Sequence, residues 1–245
     1  MEIDVVALWF GAGAMLLGTL VYLYMGRNVG VTNDVFFLMA MSVTVIAATA
    51  YLTMALGMGR VTIRGDEVLV ARYADWMLTT PLLLALLGMV ANASRSTIAT
   101  LIGLDVYMIA TGFLAVLAEP LWQTLVWWGV STLAFIVLLY ILIRVLSKGA
   151  GEQPEGVVNV YRRLRNLTVV LWSFYPIIWL AGGHGFALLP SNVELVSFVV
   201  LDVLAKVVFG LILLRSHDTV KVHSFYSQGR ERRQTSVGDR QPSGA

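Results

Sequence analysis

Two charged residues lie inside one strongly apolar stretch and form a candidate reactive centre. The stretch runs from Val193 to Leu214, and within it Asp202 and Lys206 are four residues apart. On a helix this spacing places both side chains on one face. A lysine in an apolar interior loses much of the solvation that favours its ammonium form, so it is suited to forming a Schiff base with a carbonyl compound. A buried ion pair that only joins helices has the same pattern, and the spacing alone leaves both interpretations open.

A second charged set lies in another apolar stretch, Val68–Val90. Arg72 and Asp75 are three residues apart and Asp75 and Thr79 are four apart, so a helix places all three on one face. A charge at the centre of a bilayer costs at least ~2.5 kcal/mol on insertion scales, so such residues are rarely accidental. With the first pair they make two cations and two anions, whose charges sum to zero. This composition fits a proton-transfer site and equally a structural tetrad.

Seven apolar stretches must position these groups. The chain has 245 residues, of which 58% are hydrophobic and 13% charged, whereas soluble domains are usually about 25% charged. Each stretch is long enough to cross a bilayer as a helix, and short connections make consecutive helices antiparallel neighbours. We therefore predict an all-α membrane protein, a seven-transmembrane-helix bundle in the lipid bilayer of the cell (plasma) membrane. The predicted spans are Val6–Met25, Phe36–Met58, Val68–Val90, Thr97–Leu117, Leu121–Leu146, Leu164–Ala181 and Val193–Leu214.

The rest of the chain is polar connection and tail. The longest interior break, Ser147–Gly156, has the glycine, proline and polar composition of a linker. We predict that residues 1–215 form the bundle and that residues 216–245 form a polar, disordered cytoplasmic tail. Cysteine is absent, which excludes disulfides and thiolate metal sites. We expect no metal, no nucleic-acid partner and no enzymatic activity.

The distribution of basic residues predicts the orientation of the bundle. Only Arg60 and Arg64 fall on one side of the predicted spans. By the positive-inside rule the other, basic side is cytoplasmic, so the C-terminus is inside and the N-terminus outside. The basic side carries Arg27, Arg95, Arg144, Lys148, Arg162, Arg163 and Arg165, followed after the last span by Arg215, Lys221, Arg230, Arg232, Arg233 and Arg240.

Aromatic residues lie at the same depth as the charges. Trp172, Tyr175 and Trp179 follow one another at spacings of three and four residues, so they form one stripe on a helix. Such stripes usually belong to a core, and tryptophan is also common at membrane interfaces. The mid-span positions of Trp76 and Trp172 favour instead the walls of a flat apolar slot, in which Gly112 leaves room for a ligand.

Asp105 is a further acid inside a predicted span. No cation lies near it in the sequence. An unpaired carboxylate in hydrocarbon becomes neutral, so we expect Asp105 to be protonated, hydrogen-bonded between helices and structural.

Four motifs give the chain a resemblance to the microbial rhodopsins, and most closely to the haloarchaeal bacteriorhodopsins. They are RYADWMLTTPLLL (Arg72–Leu84), VWWGVST (Val126–Thr132), RNLTVVLWSFYPIIWL (Arg165–Leu180) and LDVLAKVVFGLILLRS (Leu201–Ser216). With the spacing between them they cover nearly all seven spans. The resemblance implies that Lys206 binds retinal, all-trans or 13-cis, as a protonated Schiff base. It thereby argues against a retinal-free membrane scaffold.

The resemblance also implies roles for the other site residues. Asp75 would be the main counterion and proton acceptor, and Asp202 the second counterion. Arg72 would be the mobile cation on the extracellular side, and Thr79 would hydrogen-bond Asp75. Light would isomerise the retinal, and the Schiff-base proton would pass to Asp75. The retinal pocket would be formed by Tyr51, Trp76, Thr80, Met108, Gly112, Trp128, Ser131, Phe135, Trp172, Tyr175, Pro176 and Trp179, with Tyr51 and Tyr175 holding Asp202.

Two positions depart from the pattern of the family's proton pumps. Pumps have an internal donor aspartate about three helical turns from the acceptor, and eleven residues after Asp75 this chain has Leu86, which cannot relay a proton. Of the two glutamates that release the proton in pumps, Glu194 matches one position, while His184 occupies the other. Both departures predict a slow photocycle.

A slow photocycle favours a photosensory role with little or no pumping. Sensory members of the family lack the donor and act through a two-helix membrane transducer, and family members often form homotrimers. Against this role, Ala205 stands where blue-light sensors have threonine, and Val200 where a tyrosine contacts the transducer. The chain therefore resembles a middle rhodopsin, intermediate between pumps and sensors. A light-driven outward proton pump of modest turnover is the alternative.

Overall fold

Seven long helices dominate the structure. The computed structural model describes residues 3–28, 34–63 and 66–221 of the chain. In this part of the chain seven helices are long and apolar enough to cross a membrane, which confirms the predicted bundle. In chain order they are α1 (Ile3–Gly26), α2 (Val35–Ala55), α3 (Val70–Val90), α4 (Arg95–Leu117), α5 (Leu121–Gly151), α6 (Glu155–Ala181) and α7 (Ser191–Arg215).

Two of the helices contain a π-helical segment. In α5 it is Ile141–Leu146, and in α7 it is Leu204–Val208, which includes Lys206. A π-helical turn interrupts the regular hydrogen bonding of an α-helix and is frequent at functional sites. Lys206 therefore projects from a locally widened part of α7.

The prediction that Ser147–Gly156 is a linker is wrong for most of this range. Ser147–Gly151 continues α5, and α6 begins at Glu155, nine residues before the predicted start at Leu164. Hydropathy missed this first part of α6 because it is amphipathic, with charged side chains on its exposed face. The side chains that the first part buries are Val157, Val160, Tyr161 and Leu164.

A short β-hairpin lies between α2 and α3 and was not part of the all-α prediction. Strands β1 (Val61–Ile63) and β2 (Asp66–Val68) pair antiparallel, with Val61 opposite Val68. Strands of three residues are too short to leave an alternating pattern in the sequence. The chain enters the hairpin through Gly59, whose φ of +65° suits glycine.

The helices form a closed ring. Each helix packs against the next in the chain, and α7 returns to pack against α1. We call the end of the bundle where α1 begins the N-terminal end, and the opposite one, where α7 ends, the C-terminal end. Between Lys206 and the C-terminal end the interior is mostly apolar, and its fully buried members include Leu83, Leu84, Leu86 and Leu87.

At the C-terminal end, the chain continues beyond α7 in ordered form. Residues 217–221 are helical, which differs from the disorder predicted from residue 216 onward. His217 Nε2 lies 2.8 Å from Asp34 Oδ2, and Lys221 Nζ lies 2.7 Å from the same oxygen. Residues 222–245, with the predicted basic positions Arg230, Arg232, Arg233 and Arg240, lie outside the described residues, as does Arg64.

Candidate functional site

Lys206 lies between two carboxylates in the middle of the bundle. Its side chain is 2% exposed, and its Nζ donates a hydrogen bond to Asp75 Oδ2 on α3. Asp202 Oδ2, one turn earlier on α7, is 3.5 Å from the same nitrogen. Three of the four predicted charges are therefore in contact, with one amine facing two acids.

Asp202 is held by three aromatic side chains from three helices. Tyr51 on α2 donates its hydroxyl to Asp202 Oδ2 over 2.7 Å, and Tyr175 on α6 donates to Oδ1 over 2.6 Å. Trp76 Nε1 on α3 donates to Oδ1 over 3.1 Å. The two tyrosine bonds are as expected, whereas the tryptophan bond was not foreseen. The three donors fix the orientation of this carboxylate.

Asp75 has fewer hydrogen-bond donors than Asp202. Its Oδ1 is buried and has no partner among the described residues. Thr79 does bond to Asp75, but its hydroxyl donates to the backbone carbonyl over 2.8 Å. A threonine has one hydroxyl hydrogen, so in this geometry it does not also donate to the carboxylate. The Asp75 carboxylate therefore has fewer hydrogen bonds than the Asp202 carboxylate, and it can accept a proton from Lys206.

Arg72 lies one turn from Asp75 towards the N-terminal end. It is 9% exposed, and its guanidinium carbon is 4.8 Å from the centre of the Phe198 ring. Its Nε and Nη2 have no partner among the described residues. A cation held mainly over an aromatic face is not locked to one carboxylate, which fits the mobile role expected of it.

An apolar cavity opens beside Lys206. Its lining is mostly apolar and aromatic, with a few polar groups, as is usual for small-molecule sites. Gly112 widens it, since a Cβ there would lie 3.2 Å from Ser131 Oγ. An amine at one point of a long aromatic-walled cavity, beside two acids, fits the retinal that the resemblance implies. The predicted residues that line it are Lys206, Trp76, Thr80, Met108, Gly112, Trp128, Ser131, Phe135, Trp172, Tyr175, Pro176 and Trp179.

The sequence left part of the cavity wall unassigned. Tyr51, predicted to shape the pocket, is fully buried behind the wall and reaches the site only through Asp202. Helical spacing gave a usable signal for most of the missed residues, because they lie three or four positions from predicted ones or next to them. The lining residues without a predicted pocket role are Tyr73, Leu83, Ile109, Ala115, Thr132, Asp202 and Ala205.

Asp105 on α4 is joined to the cavity wall. It is fully buried, and its Oδ2 lies 2.6 Å from the hydroxyl of Thr80 on α3. This is the hydrogen bond between helices that the sequence predicted.

At the N-terminal end, polar groups continue outward from the site. Trp179 Nε1 donates to the Tyr73 hydroxyl over 2.8 Å, and the Trp179 ring stacks on His184 at 6.0 Å between centres. The Glu194 carboxylate accepts a hydrogen bond from the backbone of Gly183 over 3.0 Å. Glu194 and His184 therefore both lie where α6 turns into α7.

Leu86 lies on the opposite side of the site. It is fully buried within the leucine-rich interior of the C-terminal half. A leucine side chain carries no exchangeable proton. This position therefore offers no route for a proton to reach Lys206.

The chain is similar to several known proteins over most of its length. A family model described as bacteriorhodopsin-like protein matches residues 2–220. The chain is 45% identical over 220 residues to a bacteriorhodopsin of Haloterrigena sp. (strain arg-4), covering 87% of this chain and 88% of that protein. It is 42% identical over 229 residues to cruxrhodopsin-3 of Haloarcula vallismortis, covering 88% and 91%. The solved structure of thermophilic rhodopsin from Rubrobacter xylanophilus matches with a TM-score of 0.83 at 41% identity, covering 89% of this chain and 97% of that one.

Proposed function

The chain belongs to the bacteriorhodopsin-like family, and on that basis we propose that it is a retinal-binding photoreceptor that transfers a proton from Lys206 to Asp75 in light. It is a multi-pass protein of the plasma membrane. The observation that carries the proposal is the buried Lys206 amine, which faces the cavity and bonds directly to Asp75. The proposal describes a light-driven proton transfer and no enzymatic turnover of a substrate.

The residues around Lys206 have different roles in this proton transfer. Retinal bound to Lys206 as a protonated Schiff base would supply light absorption and isomerisation. Asp75 would accept the proton because its carboxylate touches Lys206 Nζ and has one oxygen without a partner among the described residues. Asp202 is held in place by three hydrogen-bond donors. The aromatic walls exclude water, which strengthens each charge interaction inside the site.

The return of the proton is the slow step of the proposed cycle. The supporting observation is that Leu86 and its neighbours Leu83, Leu84 and Leu87 fill the space between the site and the C-terminal end. None of these side chains can hold a proton, so reprotonation waits for water to enter between the helices. A long-lived state in which Asp75 holds the proton suits signalling better than pumping.

A photosensory role requires a membrane partner. We expect a two-helix transducer to pack on α6 and α7, whose lipid-facing side chains include the exposed Ile177 and Val200. A homotrimer is also expected from the family resemblance. The proposed orientation, with the N-terminal end outside, follows from the distribution of basic residues.

A light-driven outward proton pump of modest turnover is the second candidate. It is favoured by the complete set of Arg72, Asp75 and Asp202 around Lys206, which supplies an acceptor on the N-terminal side. Two of the compared relatives carry the names bacteriorhodopsin and cruxrhodopsin. Without an internal donor such a pump would cycle slowly.

One experiment on expressing cells tests both candidates. Cells supplied with retinal are illuminated, and the external pH is followed with and without a protonophore. A coloured protein that photocycles without acidifying the medium supports the photosensory role, whereas protonophore-sensitive acidification establishes the pump. A Lys206→Ala variant should be colourless, and the control Lys221→Ala should keep its colour. A colourless wild-type protein would overturn both candidates.

A further inference from the structure

The π-helical segment that carries Lys206 is contacted from outside its own helix. In Leu204–Val208 the regular hydrogen bonding of the α-helix is interrupted. A side chain from another helix that donates a hydrogen bond to this backbone therefore helps to fix the shape of the turn.

Tyr22 on α1 supplies that donor. Its hydroxyl donates to the Val207 carbonyl over 2.6 Å, and the Lys206 carbonyl lies 3.4 Å from the same oxygen. Tyr22 is fully buried and is not among the residues that line the cavity. It therefore contacts the backbone of the lysine's turn from behind.

Two glycines bring α1 this close to α7. A Cβ at Gly210 would overlap the Tyr22 ring, 2.6 Å from its Cζ, so only glycine leaves space for the tyrosine. A Cβ at Gly18 would lie 3.1 Å from both methyl groups of Val207, which is tighter than an ordinary contact. The surfaces of α1 and α7 are therefore complementary at the π-helical turn that carries Lys206.

The shape of this turn sets the geometry of the charged site. Asp202 lies just before the π-helical segment and Lys206 lies inside it, so the pitch of the segment determines how the two side chains face each other. Lys206 Nζ must stay bonded to Asp75 while it remains 3.5 Å from Asp202 Oδ2. We propose that Tyr22 is a positioning residue, whose hydroxyl holds the π-helical turn that places Lys206 Nζ between Asp75 and Asp202. The inference rests on the proposed function, in which Lys206 is the attachment point for retinal.

The other π-helical segment provides a matched control. Tyr161 on α6 donates its hydroxyl to the Leu142 carbonyl in the segment of α5, also over 2.6 Å. Tyr161 is as deeply buried as Tyr22. Changing either tyrosine to phenylalanine removes one hydroxyl and one hydrogen bond to a π-helical carbonyl. Of these two tyrosines, only Tyr22 contacts the turn that carries Lys206.

The lysine content of the chain makes the test direct. The chain has three lysines, Lys148, Lys206 and Lys221, so ¹⁵N-lysine labelling gives three Nζ signals, which Lys148→Arg and Lys221→Arg variants assign. In the retinal-free protein we expect Tyr22→Phe to move the Lys206 Nζ signal and Tyr161→Phe to leave it in place. After retinal is added, Tyr22→Phe should shift the absorption maximum and slow pigment formation roughly five-fold, the factor that corresponds to about 1 kcal/mol.

The outcomes separate a positioning role from a structural one. The inference is overturned if Tyr22→Phe leaves the Lys206 signal and the absorption maximum unchanged, or if Tyr161→Phe moves them as much. If the Tyr22→Phe variant does not fold, the Gly210→Ala variant becomes the test. Its Cβ would displace the Tyr22 ring, so it should also move the Lys206 Nζ signal. A wild-type protein that forms no pigment defeats the proposed function, while the comparison of retinal-free proteins still decides the role of Tyr22.

Discussion

In the proposed function, Leu86 is the single residue that makes the photocycle slow. It is fully buried between Lys206 and the C-terminal end. A carboxylic acid at this position would be neutral in the dark and able to hand on its proton, so Leu86→Asp should shorten recovery after a flash several-fold. The measurement is the return of the dark absorption at neutral pH.

The matched variant Leu86→Asn separates proton donation from looser packing. Asparagine has nearly the size and polarity of aspartic acid but has no proton to donate at this pH. We expect Leu86→Asn to recover as slowly as the wild type. Equal acceleration in both variants would show that hydration of the interior, rather than a missing donor, limits the cycle.

Hydrogen counting gives Asp105 a defined protonation state. Thr80 has one hydroxyl hydrogen, and its oxygen lies 2.7 Å from the Trp76 carbonyl, which can only accept. The hydrogen in the 2.6 Å contact with Asp105 must then come from the aspartic acid. Infrared spectra should therefore contain a carboxylic-acid carbonyl band that Asp105→Asn removes. Thr80→Val should shift this band without removing it, and a spectrum unchanged by Asp105→Asn would refute the assignment.

The sequence predicted the charged centre well and its supporting contacts only in part. Asp75, Asp202 and Lys206 were identifiable because charges inside apolar spans are rare and their helical spacing is simple. The Trp76 bond to Asp202 and the Tyr22 bond to Val207 join residues more than a hundred positions apart. No local pattern encodes such pairs, because they arise only when helices pack. Thr79 bonds the backbone of Asp75 for a related reason, since spacing places residues on a face but does not fix side-chain rotamers.

At the scale of elements, a cluster of charges ties the start of α2 to the turn that follows α7. Asp34 caps α2 by accepting from Phe36 N over 3.0 Å, and it also contacts His217 and Lys221. Burial raises the pKa of Asp34, but hydrogen bonds from Lys221 and His217, together with their charges, lower that pKa below its ordinary value. A depressed pKa stabilises the fold above the unfolded-state value of about 3.9, and this stability is lost as the pH falls through the folded-state pKa.

Asp34→Asn tests this pH dependence. Asparagine caps helices as well as aspartate does, so the substitution removes mainly the charge. We expect the variant to unfold at a lower temperature than the wild type at pH 7, and the gap to close below about pH 3.9. The control is Asp218→Asn, since Asp218 also contacts His217 but its side chain is fully exposed. A gap that is the same at pH 7 and pH 3 would mean that the charge of Asp34 plays no part.

Hydropathy located all seven helices but not their ends. It found α5 and α7 because those spans are apolar around most of their circumference, apart from the face of α7 that carries Asp202 and Lys206. It missed the first turns of α6, where Val157 and Tyr161 face the core while arginines face outward. It also missed the β-hairpin, which is held by backbone pairing and by the contact of Arg60 with Glu67 at 2.5 Å.

At the scale of the whole molecule, the bundle has two unlike halves around a neutral centre. On the N-terminal side of Lys206 lie Arg72, Tyr73 and Glu194, which are polar enough to move a proton outward. On the C-terminal side lie the buried leucines. The proposed light-driven release towards one side and slow return from the other would follow from this asymmetry. The direction of any transport therefore depends on which end of the bundle faces the cytoplasm.

The absence of cysteine makes the orientation directly measurable. Leu188, 73% exposed, lies in the connection between α6 and α7 at the N-terminal end, and the exposed Ser96 lies at the C-terminal end. Because basic residues concentrate at the C-terminal end, the positive-inside rule places Ser96 in the cytoplasm. A membrane-impermeant maleimide should label the Leu188→Cys variant in intact cells and the Ser96→Cys variant only after lysis. Labelling in the opposite order would reverse the orientation, and Asp75 would then accept its proton on the cytoplasmic side of Lys206, which would exclude an outward pump.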